Sequence, residues 1–313
     1  MAEPSKFIVF FLVCCSCLIV PSTTKDVTFL LYNKECPKQS TKIEASKLFC
    51  HKSYSIDKFT NVFFIIHGWL HSVEEYYVND IRHALFQSQR KKTVVIEVDW
   101  SNFARKDYIE AQKGNELVAN ATSDVLSCLV DDNKLPHSNI EIICHCMGCH
   151  IAGIAGKYLQ ICTGKKIKKI TALDPAGPGY LTIKHRSRLG PNDADIVFVV
   201  HTDAFMFGYG NRCGTIDFYP NGGKHPQPGC PEKLGVIEYD LCSHQRSLHF
   251  YIESLKYSYF PGIKCPSYSD YKRGLCSSNP KVDFSKNLIE NYKGTYFGSI
   301  KLRKPCLFRN RTR

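Results

Sequence analysis

Residues 140–153, with the sequence IEIICHCMGCHIAG, decide the fold of this chain. The stretch opens as an almost continuous apolar run and passes into a segment of helical character, with Cys146 and Met147 at the junction. An apolar strand that leads into a helix with almost no linker is typical of a parallel sheet covered on both faces. The stretch therefore predicts an α/β architecture.

The same alternation continues along the chain. Short apolar and β-branched runs occur at residues 27–32, 62–66, 94–98, 140–144, 170–173 and 196–200, and helical segments at 108–131 and 147–161. This order predicts a mostly parallel central sheet with helices on both faces. From about Phe205 onward Gly, Pro and Tyr become dense. Their density favours long ordered loops over a second domain.

Composition and the N-terminus indicate an exported globular protein. Of 313 residues 43% are hydrophobic and 22% are charged, values that exclude a disordered chain. Residues 1–24 read as a signal peptide: Lys6 precedes an apolar run at 7–20, which is shorter than the ~20 residues that span a bilayer. We therefore predict a secreted, extracellular protein.

The cysteine count agrees with an oxidising destination. Sixteen cysteines are present, three of them in the predicted signal. The remaining thirteen are an odd number, so at least one thiol stays unpaired in a monomer. Asn120 and Asn310 begin triplets that predict N-glycosylation.

The formal net charge of +12 favours anionic partners. Lys and Arg are scattered, apart from residues 165–169 and the tail 301–313, and no aromatic residues are interleaved with them as a platform for bases. We expect a solvated basic face and no nucleic-acid partner, and the oligomeric state stays open.

Cys146-Met-Gly-Cys149-His150 permits several kinds of chemistry. It matches the C-x-x-C-H pattern of haem attachment and the C-x-x-C of redox proteins, and with Cys144 it offers four zinc ligands. Haem attachment is typical of small, loop-rich helical proteins, and four donors within seven residues make poor tetrahedral geometry. The cysteines are also suited to a core role as small hydrophobic residues. We expect neither a cofactor nor a metal ion.

The junction also occupies the position of the sharp turn, written G-x-S-x-G, that carries the nucleophile of α/β-hydrolases. Here it reads Cys144-His145-Cys146-Met147-Gly148, so cysteines stand at the first glycine and at the serine. Other motifs follow in order: FFIIHGW at 63–69, ITALDPAGP at 170–178, DFYPNGG at 217–223 with QPGC at 227–230, and CSHQR at 242–246.

Together these motifs resemble the pancreatic-lipase family, most of all its phospholipase A1 branch, over about residues 27–276. The resemblance implies an α/β-hydrolase fold with Cys146 as nucleophile, Asp174 as acid and His244 as base, in the usual chain order. It also implies that the backbone N–H groups of Trp69 and Met147 form the oxyanion hole.

Three further histidines receive no catalytic role. His145 matches a histidine that is common beside the family's serine and is expected to be a packed neighbour. His67 belongs to the shape of its loop, and His249 lies outside the Cys-Ser-His motif.

The resemblance further implies two disulfides. Cys230 and Cys242 match a pair that closes the lid, residues 230–242, and Cys265 with Cys276 resembles a local bridge. Eleven residues between Cys230 and Cys242 make a short lid, which resembles a phospholipase A1 more than a triglyceride lipase. The chain ends 69 residues after His244, so we expect one domain, residues 25–313, with a basic tail at 300–313.

Two functions are compatible with these features. The first is a carboxylic ester hydrolase of weak or altered activity, which acts on lipid or phospholipid esters and contacts lipid surfaces peripherally. The second is a catalytically inactive homologue that binds lipid or protein. Retention of both Asp174 and His244 favours the hydrolase, because an abandoned site would require neither.

Overall fold

The apolar runs of the sequence form the strands of a single sheet. The structure is a computed structural model that describes residues 26–43, 56, 58–89, 91–131, 135–232, 237–257, 259–285 and 291–301. The predicted signal and almost all of the basic tail lie outside these residues. The strands are β1 (Thr28–Asn33), β2 (Thr41–Ile43), β3 (Asn61–Ile66), β4 (Thr93–Asp99), β5 (Ile140–Cys146), β6 (Lys169–Pro175), β7 (Ile196–Val200), β8 (Ile216–Pro220), β9 (Pro261–Lys264), β10 (Lys281–Asp283) and β11 (Gly294–Gly298).

Helices lie between the strands. They are α1 (Tyr76–Ser88), α2 (Ser101–Ala104), α3 (Tyr108–Asp131), α4 (Met147–Thr163), α5 (Ile237–Tyr257) and α6 (Tyr268–Lys272), with single 3₁₀ turns at His137–Asn139 and His185–Ser187. Among the residues that the structure describes, no helix combines the length and the apolar character needed to cross a membrane.

The sheet is mostly parallel. Its strand order is β10-β9-β11-β8-β7-β6-β5-β3-β4-β1-β2. In this order, the seven adjacent strands β11, β8, β7, β6, β5, β3 and β4 all pair in parallel. Antiparallel strands flank them: β1 and β2 at one edge, β9 and β10 at the other. The predicted α/β-hydrolase fold is confirmed.

Two apolar cores cover the two faces of the sheet. Successive strand residues point to opposite faces, so Phe64 packs in one core and its neighbour Phe63 in the other. Helices α3 and α4 contribute to the first core, for example through Ile151, and α1 and α5 to the second, for example through Ile81 and Leu248. Burial on both faces explains why the strand sequences are apolar almost throughout.

Beyond Phe205 the structure differs from the expectation of long loops. Strands β8 to β11, helix α6 and the 21-residue helix α5 occupy this part of the chain. Glycine and proline there mark the ends of short elements, whose apolar runs are too brief to show a period. Aromatic residues between them fill the second core: the rings of Phe218 and Phe260 lie 5.0 Å apart.

Helix α5 begins inside the segment that the sequence assigned to the lid. Its first residue, Ile237, precedes Cys242, so the end of the 230–242 loop is helical. Residues 233–236 lie outside the described part of the chain.

Candidate active site

Cys146 is the last residue of β5 and directly precedes the first residue of α4. Its backbone lies at φ 55° and ψ −127°, in a region that residues with a Cβ rarely adopt. The Cys146 carbonyl accepts a hydrogen bond of 3.1 Å from the Ala176 amide after β6. Such strained conformations persist where surrounding structure enforces them, and they cluster at functional sites.

Glycines on both sides of Cys146 permit this turn. A Cβ on Gly148 would collide with the carbonyl oxygen of His67 and lie 2.7 Å from that of Ile66. A Cβ on Gly68 would lie 2.8 Å from the Cβ of Cys146. The end of β3 and the start of α4 therefore pass so closely that only glycine fits at these two positions.

Cys144 stands at the position of the first glycine of the turn motif. Its side chain is buried in the first core, and its thiol donates to the Thr171 carbonyl at 3.5 Å. The additional side-chain atoms thus lie in the first core, with the sulfur against β6.

Asp174, near the end of β6, is held by backbone donors. One carboxylate oxygen accepts hydrogen bonds from the amides of Thr202 (2.7 Å) and Asp203 (3.2 Å). The other lies 2.6 Å from Nδ1 of His244. A Cβ on Gly208 would lie 2.6 Å from both carboxylate oxygens, so a glycine there leaves room for the carboxylate.

His244, on α5, joins the other two groups. Its imidazole contacts Asp174 through Nδ1 and interacts with the Cys146 thiol. Burial alone would lower the pKa of His244, but the charge of Cys146 and the hydrogen bond and charge of Asp174 hold it well above its ordinary value. Nε2, the ring nitrogen that does not contact Asp174, is buried and has no hydrogen-bond partner of normal geometry within the described chain. The structure thus brings together the three residues implied by the resemblance.

The two residues implied for an oxyanion hole flank Cys146. Met147 opens α4, where the first N–H groups of a helix lack intrahelical acceptors. Trp69 follows Gly68, which lies against the Cβ of Cys146. The Trp69 indole donates to the Lys106 carbonyl at 2.9 Å, which holds this loop in place.

His145 is buried beside this group and not free to act as a base. Its Nε2 lies 3.4 Å from the His244 carbonyl oxygen, and its ring lies 4.6 Å from the His244 ring. Burial, then the nearby charges of His244 and His71, hold the pKa of His145 well below its ordinary value. A neutral His145 agrees with the expected packed neighbour.

The other two histidines are engaged elsewhere. His67 contacts the Gly68 carbonyl through Nδ1 at 3.0 Å and stacks on Trp100. His249 contacts the Tyr76 hydroxyl at 3.0 Å, and burial, then the charge of Arg246, lower its pKa to about 4.

Sequence reasoning missed the aromatic support behind His145. The His71 ring stacks on His145 at 5.8 Å, and Nδ1 of His71 lies 3.0 Å from the Tyr77 hydroxyl, which accepts from the Gly68 amide at 3.4 Å. In the sequence, the one indication of this contact was that His71 lies two residues after Trp69.

The geometry does not bring together the zinc ligands considered from the sequence. Both ring nitrogens of His150 make hydrogen bonds, at 2.8 Å with the Ala176 carbonyl and at 3.3 Å with the Leu189 amide. In the described chain, two groups place ligand atoms within 4.8 Å of one another: His201, Cys213 and Asp217, and Asp174, Asp203 and His244.

The first of these groups was missed by the sequence reasoning. His201 contacts the Tyr209 carbonyl through Nδ1 at 2.9 Å and the Asp217 carboxylate through Nε2 at 3.0 Å. The same carboxylate accepts from the amides of Cys213 and Gly214. These contacts fasten the end of β7 to β8, which is a structural role.

Disulfides join Cys230 to Cys242 and Cys265 to Cys276, each with Cα atoms 5.7 Å apart. These are the two pairs implied by the resemblance. Cys128 and Cys162 are also disulfide-bonded. Within the described residues the free cysteines are Cys36, Cys144, Cys146, Cys149 and Cys213.

The chain is similar to known proteins over most of its length. The model of the family described as Lipase matches residues 16–291. Pancreatic triacylglycerol lipase of Cavia porcellus is 33% identical over 271 residues, covering 80% of this chain and 56% of that protein. Lipoprotein lipase of Bos taurus is 34% identical over 248 residues, covering 73% and 50%. Pancreatic lipase-related protein 2 of Rattus norvegicus is 30% identical over 277 residues, covering 82% and 57%.

The chain spans about half the length of the curated relatives that it matches. The residues that the family model matches, 16–291, contain all of the motifs from residue 63 to residue 246. The chain belongs to the pancreatic-lipase family.

Proposed function

We propose that this chain is a secreted carboxylic ester hydrolase of phospholipase A1 type, with Cys146 as nucleophile, His244 as base and Asp174 as its partner. One observation carries the proposal: the imidazole of His244 is hydrogen-bonded to Asp174 at 2.6 Å and interacts on its other side with the Cys146 thiol. A nucleophile, a base and a group that orients the base are the parts that acyl transfer requires.

The reaction follows from these positions. The Cys146 sulfur attacks the ester carbonyl carbon, and the proton held by His244 passes to the alcohol oxygen as that oxygen leaves. A thioester remains on Cys146. His244 then takes a proton from water as the water attacks the thioester carbonyl, the fatty acid departs, and the proton returns to the Cys146–His244 pair. The amides of Trp69 and Met147 would stabilise the oxyanion in both steps.

Sulfur in place of oxygen makes turnover slow. The longer C–S bond displaces the attacking atom, and losing one oxyanion donor typically costs on the order of 10²–10³ in rate. A thiolate also leaves the tetrahedral intermediate more readily than an alkoxide, so the intermediate tends to revert to ester. We therefore propose weak activity.

Exposed apolar side chains support a lipid substrate and contact with a lipid surface. Leu70, directly after Trp69, is 52% exposed. Phe205 and Met206 are 60% and 43% exposed, and they precede Phe207, whose ring lies 6.2 Å from that of His244. The short Cys230–Cys242 loop favours phospholipid over triglyceride, since it offers little apolar cover for a broad acyl groove.

Hydrolysis of a phospholipid labelled in its sn-1 acyl chain tests the proposal. We expect the native protein to release the labelled fatty acid slowly, Cys146→Ala to release none, and Cys36→Ala, which removes an exposed free thiol, to match the native rate. If native and Cys146→Ala are equally inactive while Cys146→Ser turns over, the protein is an inactive lipase homologue.

A further inference from the structure

Three cysteines surround the strand-to-helix turn, and the proposed reaction uses one of them. Cys144, Cys146 and Cys149 are all free thiols in the structure. In the same chain Cys128, Cys162 and the four cysteines of the two assigned disulfides are bonded. Cys144 and Cys149 therefore need a separate account.

Cys144 and Cys149 lie together on the β6 side of the turn. Cys144, on β5, donates its thiol hydrogen to the Thr171 carbonyl at 3.5 Å. Cys149, in the first turn of α4, donates to the Leu173 carbonyl, two residues further along β6, at 3.9 Å. Both side chains are buried, and the two thiols interact with each other.

Cys146 has a different environment. It is half-buried, and its thiol interacts with the His244 imidazole. Burial, followed by the interaction with Cys144, holds the pKa of Cys149 well above its ordinary value, which keeps this thiol neutral and unreactive toward esters. Of the three sulfurs, that of Cys146 interacts with the His244 imidazole, whereas those of Cys144 and Cys149 are buried and interact with each other.

We propose that Cys144 and Cys149 form a disulfide when the chain folds in an oxidising compartment, and that Cys146 alone of the three stays a thiol. The two thiols lose two protons and two electrons to a small-molecule disulfide such as oxidised glutathione. Its S–S bond breaks to give two thiols as the Cys144–Cys149 bond forms. The bond spans the turn that holds Cys146 in its strained conformation.

The consequence is protection of Cys146. A free Cys149, three residues away on α4, could trap Cys146 as a disulfide. Once Cys149 is bonded to Cys144, neither sulfur is available to do so. This inference goes beyond the proposed function, because it depends on the positions of the sulfurs and holds whether or not Cys146 hydrolyses an ester.

Peptide mapping tests the pairing directly. Trypsin cuts after Lys134 and Lys157 and leaves one peptide, residues 135–157, whose only cysteines are Cys144, Cys146 and Cys149. Cyanogen bromide then cuts after Met147 and separates Cys144 and Cys146 from Cys149. The full chain is folded with oxidised glutathione, alkylated with N-ethylmaleimide in denaturant, and digested without reductant.

We expect one alkyl group on this peptide, located on Cys146 by fragmentation, and two cyanogen bromide halves that stay joined until reduction. In Cys146→Ser the halves should remain joined with no alkyl group, which shows that Cys144 is the partner. Three alkyl groups, halves that separate without reductant, or an alkyl group on Cys144 would each overturn the inference. Failure of the proposed function leaves this map unchanged, so the two failures are distinguishable.

Discussion

His244 connects a thiol on one side with a carboxylate on the other. One carboxylate oxygen of Asp174 accepts hydrogen bonds from two backbone N–H groups, and the other oxygen is hydrogen-bonded to the imidazole. Such an arrangement fixes the tautomer of the ring and stabilises its protonated form. A cysteine paired with a histidine can exist as thiolate and imidazolium before substrate arrives, which a serine does not do.

Replacing Cys146 with alanine should lower the pKa of His244. The charge of Cys146 is the largest influence that raises this pKa. Without it, Asp174 alone raises the pKa, against burial, which lowers it. The imidazole should then lose its proton at a lower pH than in the native protein. NMR titration of ring-labelled histidine measures this shift, with Cys36→Ala as the control that should titrate like the native protein. Identical titration of Cys146→Ala and native protein would contradict the pairing.

Asp174→Asn should leave the fold intact and remove most of the activity. The amide oxygen can still accept from Thr202 and Asp203, but the side chain can no longer stabilise a protonated His244. The corresponding change in a serine triad lowers kcat by about 10⁴. We expect a similar factor for ester hydrolysis at saturating substrate, together with a lower pKa of His244. Retained activity with an unchanged circular dichroism spectrum would remove Asp174 from the mechanism.

At the scale of elements, the site depends on how closely α4 starts beside the end of β3. The carbonyl oxygens of Ile66 and His67 occupy the space where a side chain on Gly148 would lie. Backbone atoms cannot rotate away as a side chain can, so the two elements would have to separate. The position of Cys146 relative to Trp69 is a property of this packing.

Gly148→Ala should therefore destabilise the protein and impair the site together. We expect a loss of about 3 kcal/mol in the free energy of unfolding, at the upper end of the range for overpacked sites. Gly164→Ala is the matched control: that residue ends α4 at φ 69° with no atom within 4 Å, and its cost is about 1 kcal/mol. Urea unfolding measures both, and the control should keep the native rate of Cys146 alkylation. Equal effects of the two variants would show that the close approach is unimportant.

At the scale of the whole molecule, we expect charge and exposed apolar residues to act together on an anionic lipid surface. The chain has a formal net charge of +12, and Leu70, Phe205 and Met206 are exposed near the site. Positive charge on the protein raises its local concentration at an anionic surface before any apolar contact forms. This attraction extends over a screening length of about 10 Å at 0.1 M salt and about 3 Å at 1 M.

Binding to phospholipid vesicles should therefore depend on lipid charge and on salt. We expect Cys146→Ala, which binds without turnover, to sediment with vesicles of anionic phospholipid at 0.1 M salt and to be released substantially at 1 M. Zwitterionic vesicles of the same size serve as the control and should bind less, with little response to salt. Equal binding to both kinds of vesicle at both salt concentrations would exclude a role for the net charge.

The elements around the site were largely predictable from the sequence. The runs at 140–144 and 196–200 and the helix at 108–131 agree with the structure to within two residues, because strands buried on both faces are apolar throughout. The expectation beyond Phe205 was wrong, since β8 to β11 are short and owe their burial to aromatic contacts from distant parts of the chain. Local sequence carries little information on such contacts.

The sequence by itself determined the fold class, the lipase family and the residues that motif order assigns to the site, since each depends on neighbouring residues or on order along the chain. Only the tertiary structure decided which side chains meet: His244 on Asp174, His71 behind His145, and Cys144 against Cys149. The physical reason is that contacts across a sheet depend on how separate elements pack. A motif fixes the spacing of residues along the chain, but packing fixes the distances between their atoms.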